Sequence, residues 1–158
     1  MNITWYHRHF KELNTKELYQ ILQLRNEVFI VEQNCPFQDL DDKDAKCYHL
    51  MGFDTDSQKV VAYTRIVPAG VSYEEASIGR VVTSPEARNG GIGKELMRKT
   101  IQLLEELYGG VSIKIGAQLY LIKFYESFGF QQVEEMYLED GIEHILMIKY
   151  DRFPTCSI

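Results

Sequence analysis

A length of 158 residues, 45% of them apolar and 25% charged, is enough for one buried core, short for two, and outside the composition of disordered chains. Lys and Arg total 17 against 23 Asp and Glu, and the resulting charge of −6 comes with no basic run, which argues against nucleic acid as a partner. Apolar runs of about four residues exclude a membrane span, and Met1 to His9 lacks a signal pattern.

Asn14 with Glu17 makes a capping box, and Leu18, Ile21, Leu22, Val28 and Phe29 recur at helical spacing, which predicts a helix over 15–30. Gln33 to Lys46 is rich in Asp, contains Pro36 and has no period, so it reads as a long functional loop. His49–Phe53 and Val60–Val67 read as a hairpin across Asp54-Thr55-Asp56-Ser57, followed by a strand at Ser77–Thr83. An amphipathic helix runs from Ile92 to Tyr108 and stops at Gly109-Gly110. Val111, Ile113 and Ile115 alternate as a strand. Leu121, Phe124, Tyr125 and Phe128 form a further helical stripe ended by Gly129. Strands over Phe130–Leu138 and Ile145–Tyr150 close the pattern through Asp140-Gly141.

This order predicts an α/β fold with a central mixed, mostly antiparallel sheet flanked by helices. Residues 1–150 are expected to form one domain and 151–158 a C-terminal tail. Cys35, Cys47 and Cys156 are odd in number and make no CxxC pair, so reduced thiols, no metal site and a cytoplasmic location are expected.

The segment Arg88-Asn89-Gly90-Gly91-Ile92-Gly93-Lys94 joins a strand to a helix. Free N–H groups at such a helix start can hold phosphate oxygens, and glycines let the ligand approach the backbone. The letters do not fit a Walker A loop, since Arg88 and Glu95 stand where Gly and Ser or Thr are needed, nor a dinucleotide loop, whose third glycine falls on Leu96. A glycine turn that only lets the helix pack on the sheet is the competing reading, and the position in a strand-to-helix crossover favours a phosphate cradle.

Arg88-x-x-Gly91-x-Gly93 resembles motif A of the GCN5-related N-acetyltransferases (GNAT). Agreement extends to Gly79–Pro85, to Phe124–Phe130, and to Leu24–Pro36, Asp39-Leu40-Asp41, His49-Leu50 and Glu139–Ile145, segments similar to the ElaA-like branch of that family. Glu143 departs from the proline common in that branch and bears on the local hairpin only. The resemblance covers nearly the whole chain. It implies the acyl-CoA N-acyltransferase fold, acetyl-CoA (coenzyme A) as acyl donor, and an amine on a small molecule or exposed group as acceptor.

On that resemblance, Val81, Val82, Thr83 and the run Arg88, Asn89, Gly90, Gly91, Ile92, Gly93 and Lys94 bind the pantetheine arm and pyrophosphate. Tyr125 matches the family's tyrosine and would give a proton to the leaving sulfur; as a member of an apolar stripe it could equally be core. Glu32 and His144 are the candidates for the base, with water as the third possibility. Arg25 and Glu27 read as a structural ion pair. The expected reaction is direct acetyl transfer to an amine. A non-catalytic acyl-CoA binding or sensing domain is the alternative, and a homodimer through a sheet edge is an open possibility.

Overall fold

In the computed structural model, residues 1–151 are described. The last seven positions of the expected tail lie outside them. Strand β1 (Ile3–His9), unmarked in the sequence reading, pairs antiparallel with β2 (Tyr48–Asp54), which pairs with β3 (Lys59–Val67), which pairs with β4 (Ser77–Thr83). β1 was hidden because it is an edge strand whose second half, His7-Arg8-His9, is polar. A second sheet places β8 (Ile142–Lys149) between β5 (Ile113–Gln118) on one side and the short β6 (Gln131–Gln132) and β7 (Tyr137–Glu139) on the other.

β3 reads as a continuous apolar run because both of its faces are covered. Ala62 and Ile66 face Leu96, Met97 and Leu104 of helix α2 (Ile92–Tyr108), while Val60 and Tyr63 face Ile21 and Leu24 of helix α1 (Thr15–Arg25). The α1 start follows the expected box: Asn14 Oδ1 accepts from the Glu17 N–H at 2.7 Å and Glu17 Oε1 from the Asn14 N–H at 3.0 Å.

Three expected elements need correction. The helix over 15–30 is α-helical only to Arg25; Asn26–Glu32 continues it with π-helical turns, the N–H of Gln33 reaching back to Val28 and that of Cys35 to Ile30. The wider turn keeps Val28 in the core and carries Glu32 toward the glycine loop. The strand over Phe130–Leu138 is split into β6 and β7, because the exposed pair Glu134-Glu135 leaves the ladder. Its partner begins at Ile142 rather than Ile145, since Asp140 (φ 51°) and Gly141 (φ 76°) form a two-residue turn from which pairing starts at once. Finally, a 3-10 turn at Leu119–Leu121 leads into helix α3 (Ile122–Glu126), and Gly129 (φ 94°) ends it.

The feature that matters for function is the seam between the sheets. β4 and β5 run parallel but meet only at a bridge between Ala76 and Ile113, where the Lys114 N–H donates to Ala76 C=O at 2.9 Å. Beyond that bridge the two strands separate, and the edge of β4 facing β5 has no neighbouring strand.

Candidate active site

A cavity of about 790 Å³ fills the opening between β4 and β5. Arg88, Gly93 and Leu96 line one end, and His144, Glu139 and Asp140 line another. At the first end Gly91 (φ 77°) sits in the left-handed region as the N-cap of α2 and supplies no side-chain cap, so the first N–H groups of the helix are left for another acceptor. A Cβ built on Gly90, Gly91 or Gly93 would meet nothing within 4 Å, so the space in front of these backbones is open. Such a surface fits a phosphate group.

Arg88 follows the short 3-10 turn Pro85–Ala87 and is held across the cleft by Glu32. Its Nη2 lies 2.6 Å from Glu32 Oε1 and its Nη1 2.9 Å from Oε2, and Nη2 also donates to Thr83 C=O at 3.3 Å. These hydrogen bonds hold the Glu32 carboxyl below its ordinary range and raise the Arg88 guanidinium. Two residues expected to act separately, one as base and one on the cofactor, therefore occupy each other.

In β4 the register slips by one residue, so that Arg80 and Val81 together oppose Thr64. Arg80 takes φ 51° there, and its side chain turns to the loop after α1. That loop is fastened by three aspartates to three arginines. Arg25 pairs with Asp39 (2.7 Å) and Asp44 (2.8 Å), Arg65 with Asp41 (2.7 Å) and Asp44 (3.0 Å), and Arg80 with Asp39 (2.7 Å). Burial would raise the Asp41 carboxyl, but hydrogen bonding and charge from Arg65, with help from the Lys43 N–H and Arg80, hold it far below the usual range; burial likewise opposes, and Arg25 and Arg65 bring about, a lowering of Asp44. Arg25 thus has its expected structural pairing, but with these aspartates rather than with Glu27. Fully buried His49 supports the same loop: its Nε2–H donates to Asp44 C=O at 3.0 Å and its Nδ1 accepts from the Tyr63 hydroxyl at 2.6 Å. Burial lowers its pKa and so favours the neutral ring.

The expected catalytic side chains approach from opposite faces of the second sheet. Tyr125 of α3 packs in the core with Ile115, Ala117 and Ile145. His144 precedes Ile145 on β8 and so points to the other face. Both line the cavity. Tyr125 is 6% exposed, its hydroxyl has no hydrogen-bond partner among the described residues, and burial raises its pKa, so the phenol stays protonated. His144 is 8% exposed; Ile142 C=O accepts from its Nδ1–H at 2.7 Å, which orients the ring and places Nε2 3.5 Å from Glu139 Oε2. On β5, directly opposite His144, stands Gln118, and Gly116 makes room there for the hydroxyls of Tyr137 and Tyr73, which would lie 2.5 and 3.1 Å from a Cβ at that position.

Of the residues expected at the donor, Val81, Val82, Thr83, Arg88 and Gly93 line the cavity; Gly90 and Ile92 line a smaller adjoining recess with Arg88. Asn89 (φ 69°) shapes the loop, and Lys94 lies in the first turn of α2. The aspartate network, Gln118, Tyr73 and Glu139 were not found from sequence as site residues. An arginine in the middle of an apolar strand, Arg65, was the available signal, because such a charge must be paired.

The profile of the acetyltransferase (GNAT) domain matches residues 37–150. Protein ElaA of Escherichia coli (strain K12) is 42% identical over 149 residues, which span 93% of this chain and 96% of that protein. The chain belongs to the GNAT family, in its ElaA-like branch. The crystal structure of E. coli ElaA superposes with a TM-score of 0.86 at 41% identity, covering 94% of this chain and 99% of that one. An acyl-CoA N-acyltransferase structure from Pseudomonas aeruginosa gives 0.89 at 39% identity, with the same coverage. The architecture is accordingly the GNAT fold, and the protein is an acyltransferase by family. Among the described residues no helix is long and apolar enough to cross a membrane.

Proposed function

We propose that this GNAT member transfers an acetyl group directly from acetyl-CoA to an amine. The observation that carries the reading is one continuous cavity that joins an uncapped, glycine-fronted helix start to an unpartnered buried phenol and an oriented imidazole. In this reading the N–H groups from Gly91 to Lys94, with the Arg88 region, receive the pyrophosphate. The open edge of β4 at Val81, Val82 and Thr83 pairs with the amides of the pantetheine arm, replacing the strand that β5 does not supply.

The acceptor enters from the opposite face, beside His144. As its nitrogen attacks the thioester carbonyl carbon, the C–N bond forms, the C–S bond breaks, and the nitrogen's proton passes to His144 Nε2. The electron pair of the C–S bond leaves on sulfur, where the Tyr125 hydroxyl donates a hydrogen bond to the thiolate. Its raised pKa favours this donation over complete proton loss. Glu32, neutralised by Arg88, is assigned to positioning that arginine and not to the base. The protein is further proposed to act in the cytoplasm, on a small molecule or an exposed amine, as one domain over residues 1–150.

Calorimetric titration with acetyl-CoA, CoA and ATP tests the donor site, and amine-dependent release of CoA tests the reaction. Saturable binding of both CoA compounds without ATP binding, followed by turnover with an amine, is expected. Binding without turnover across amines would replace the enzyme by an acyl-CoA sensor. A folded protein that binds no acetyl-CoA would end both readings.

A further inference from the structure

Charges lining the cavity are distributed unevenly. On the β3–β4 wall, Arg65 and Arg80, with Arg25 behind them, face Asp39, Asp41 and Asp44, three cations against three anions, each in a contact of 3.0 Å or less. At the donor end Arg88 and Glu32 neutralise each other. Neither wall offers a free guanidinium to an acceptor's carboxylate.

The β7–β8 turn differs. Glu139 and Asp140 line the cavity, and among the described residues neither has a Lys or Arg within ion-pair distance; Glu139 has only His144, the ring in the base role. Beneath them His144 is over nine-tenths buried, and its Nε2 makes no hydrogen bond among the described residues although the ring faces the cavity. An imidazole nitrogen open to the cavity, overlooked by two carboxylates without a Lys or Arg partner, is complementary to a cationic N–H group. The neighbouring Tyr73 phenol is raised first by burial and then by the charge of Glu139, and Lys114, whose Nζ lies 5.4 Å from the Tyr73 ring centre, is engaged by Glu134 at 3.8 Å. Lys43, on the aspartate loop, is the lining cation left without an ion-pair partner among the described residues.

We infer that the acceptor is a primary amine that carries a second positive charge, with Glu139 and Asp140 as its specificity-determining residues. This rests on the N-acetyltransferase reading. The first carboxylate draws the reacting nitrogen to His144, and Asp140 at the turn holds the second charge. Because Glu139 is 61% exposed at its side chain, the pair acts through screened attraction, which acts on capture of the acceptor and fades with salt.

The test follows CoA release from acetyl-CoA with three four-carbon probes: diaminobutane, butylamine and aminobutanoate. The diamine is expected to have the highest kcat/KM, with an advantage that narrows as salt is added. Combining Glu139→Gln with Asp140→Asn should raise the KM for the diamine about tenfold, raise that for butylamine by less because only the carboxylate facing its single nitrogen is lost, and leave the fold intact, since asparagine also tolerates the left-handed backbone at position 140. Equal use of diamine and monoamine by the wild type would overturn the inference while the acetyltransferase reading stands. A preference for aminobutanoate would also overturn it and would transfer recognition to Lys43. No release with any amine, despite acetyl-CoA binding, would instead remove the reading beneath it.

Discussion

Glu32 and Arg88 grip each other through two hydrogen bonds, of 2.6 and 2.9 Å, across the mouth of the cavity. A carboxylate so engaged is a poor proton acceptor, so Glu32→Gln should keep kcat within about threefold of wild type and shift mainly the KM for acetyl-CoA. His144→Gln should instead lower kcat by about 100-fold, the ordinary cost of losing an acid–base group. Steady-state kinetics on the two variants decides between the bases, and the opposite ranking would restore Glu32.

Tyr125→Phe removes only a hydroxyl that has no hydrogen-bond partner among the described residues, so the fold should be untouched. Turnover should fall by about 100-fold with acetyl-CoA affinity retained. Burial raises the phenol above its ordinary value near 10. The wild-type rate should therefore show no alkaline decline from Tyr125 below about pH 10. An unchanged rate in the phenylalanine variant would make this residue simply part of the core.

Gly93→Val separates folding from binding. A Cβ at this position meets nothing within 4 Å, so the melting temperature should move little. The added side chain stands before the N–H groups of α2, and acetyl-CoA binding measured by calorimetry should weaken by at least about tenfold.

Arg25 is buried and holds both Asp39 and Asp44. Arg25→Met leaves these carboxylates short of a partner and should cost about 3–5 kcal/mol in denaturant unfolding. The wild-type network also has a pH signature. Asp41 and Asp44 lie below their unfolded values of about 3.9, so their contribution is complete above about pH 5 and is lost as the pH falls through the lower folded values. Unfolding at neutral pH and at about pH 3 should show that loss, and the loss should be smaller in the Arg25 variant.

Much of the architecture was legible because its signals are local. The Asn14–Glu17 box, the stripe of α2 and the Asp140-Gly141 turn each depend on neighbours in sequence, and each formed as expected. The glycine turn into α2 was legible for the same reason. What stayed hidden depends on distant partners. Nothing within Ile3–His9 says that β2 will accept it, and nothing near Asp39, Asp41 or Asp44 says that Arg25, Arg65 and Arg80 will gather there. Glu32 looked like a free base because its arginine is 56 residues away.

The aspartate loop separates what holds it from what it offers. Its fastening lies in Asp39, Asp41 and Asp44, whereas Cys35, Phe37 and Gln38 face the cavity without joining that fastening. Drift at those three positions can reshape the cavity without loosening the scaffold. Exchanging a few side chains on a fixed hook therefore alters what the cavity admits, and directed evolution of this protein should begin there.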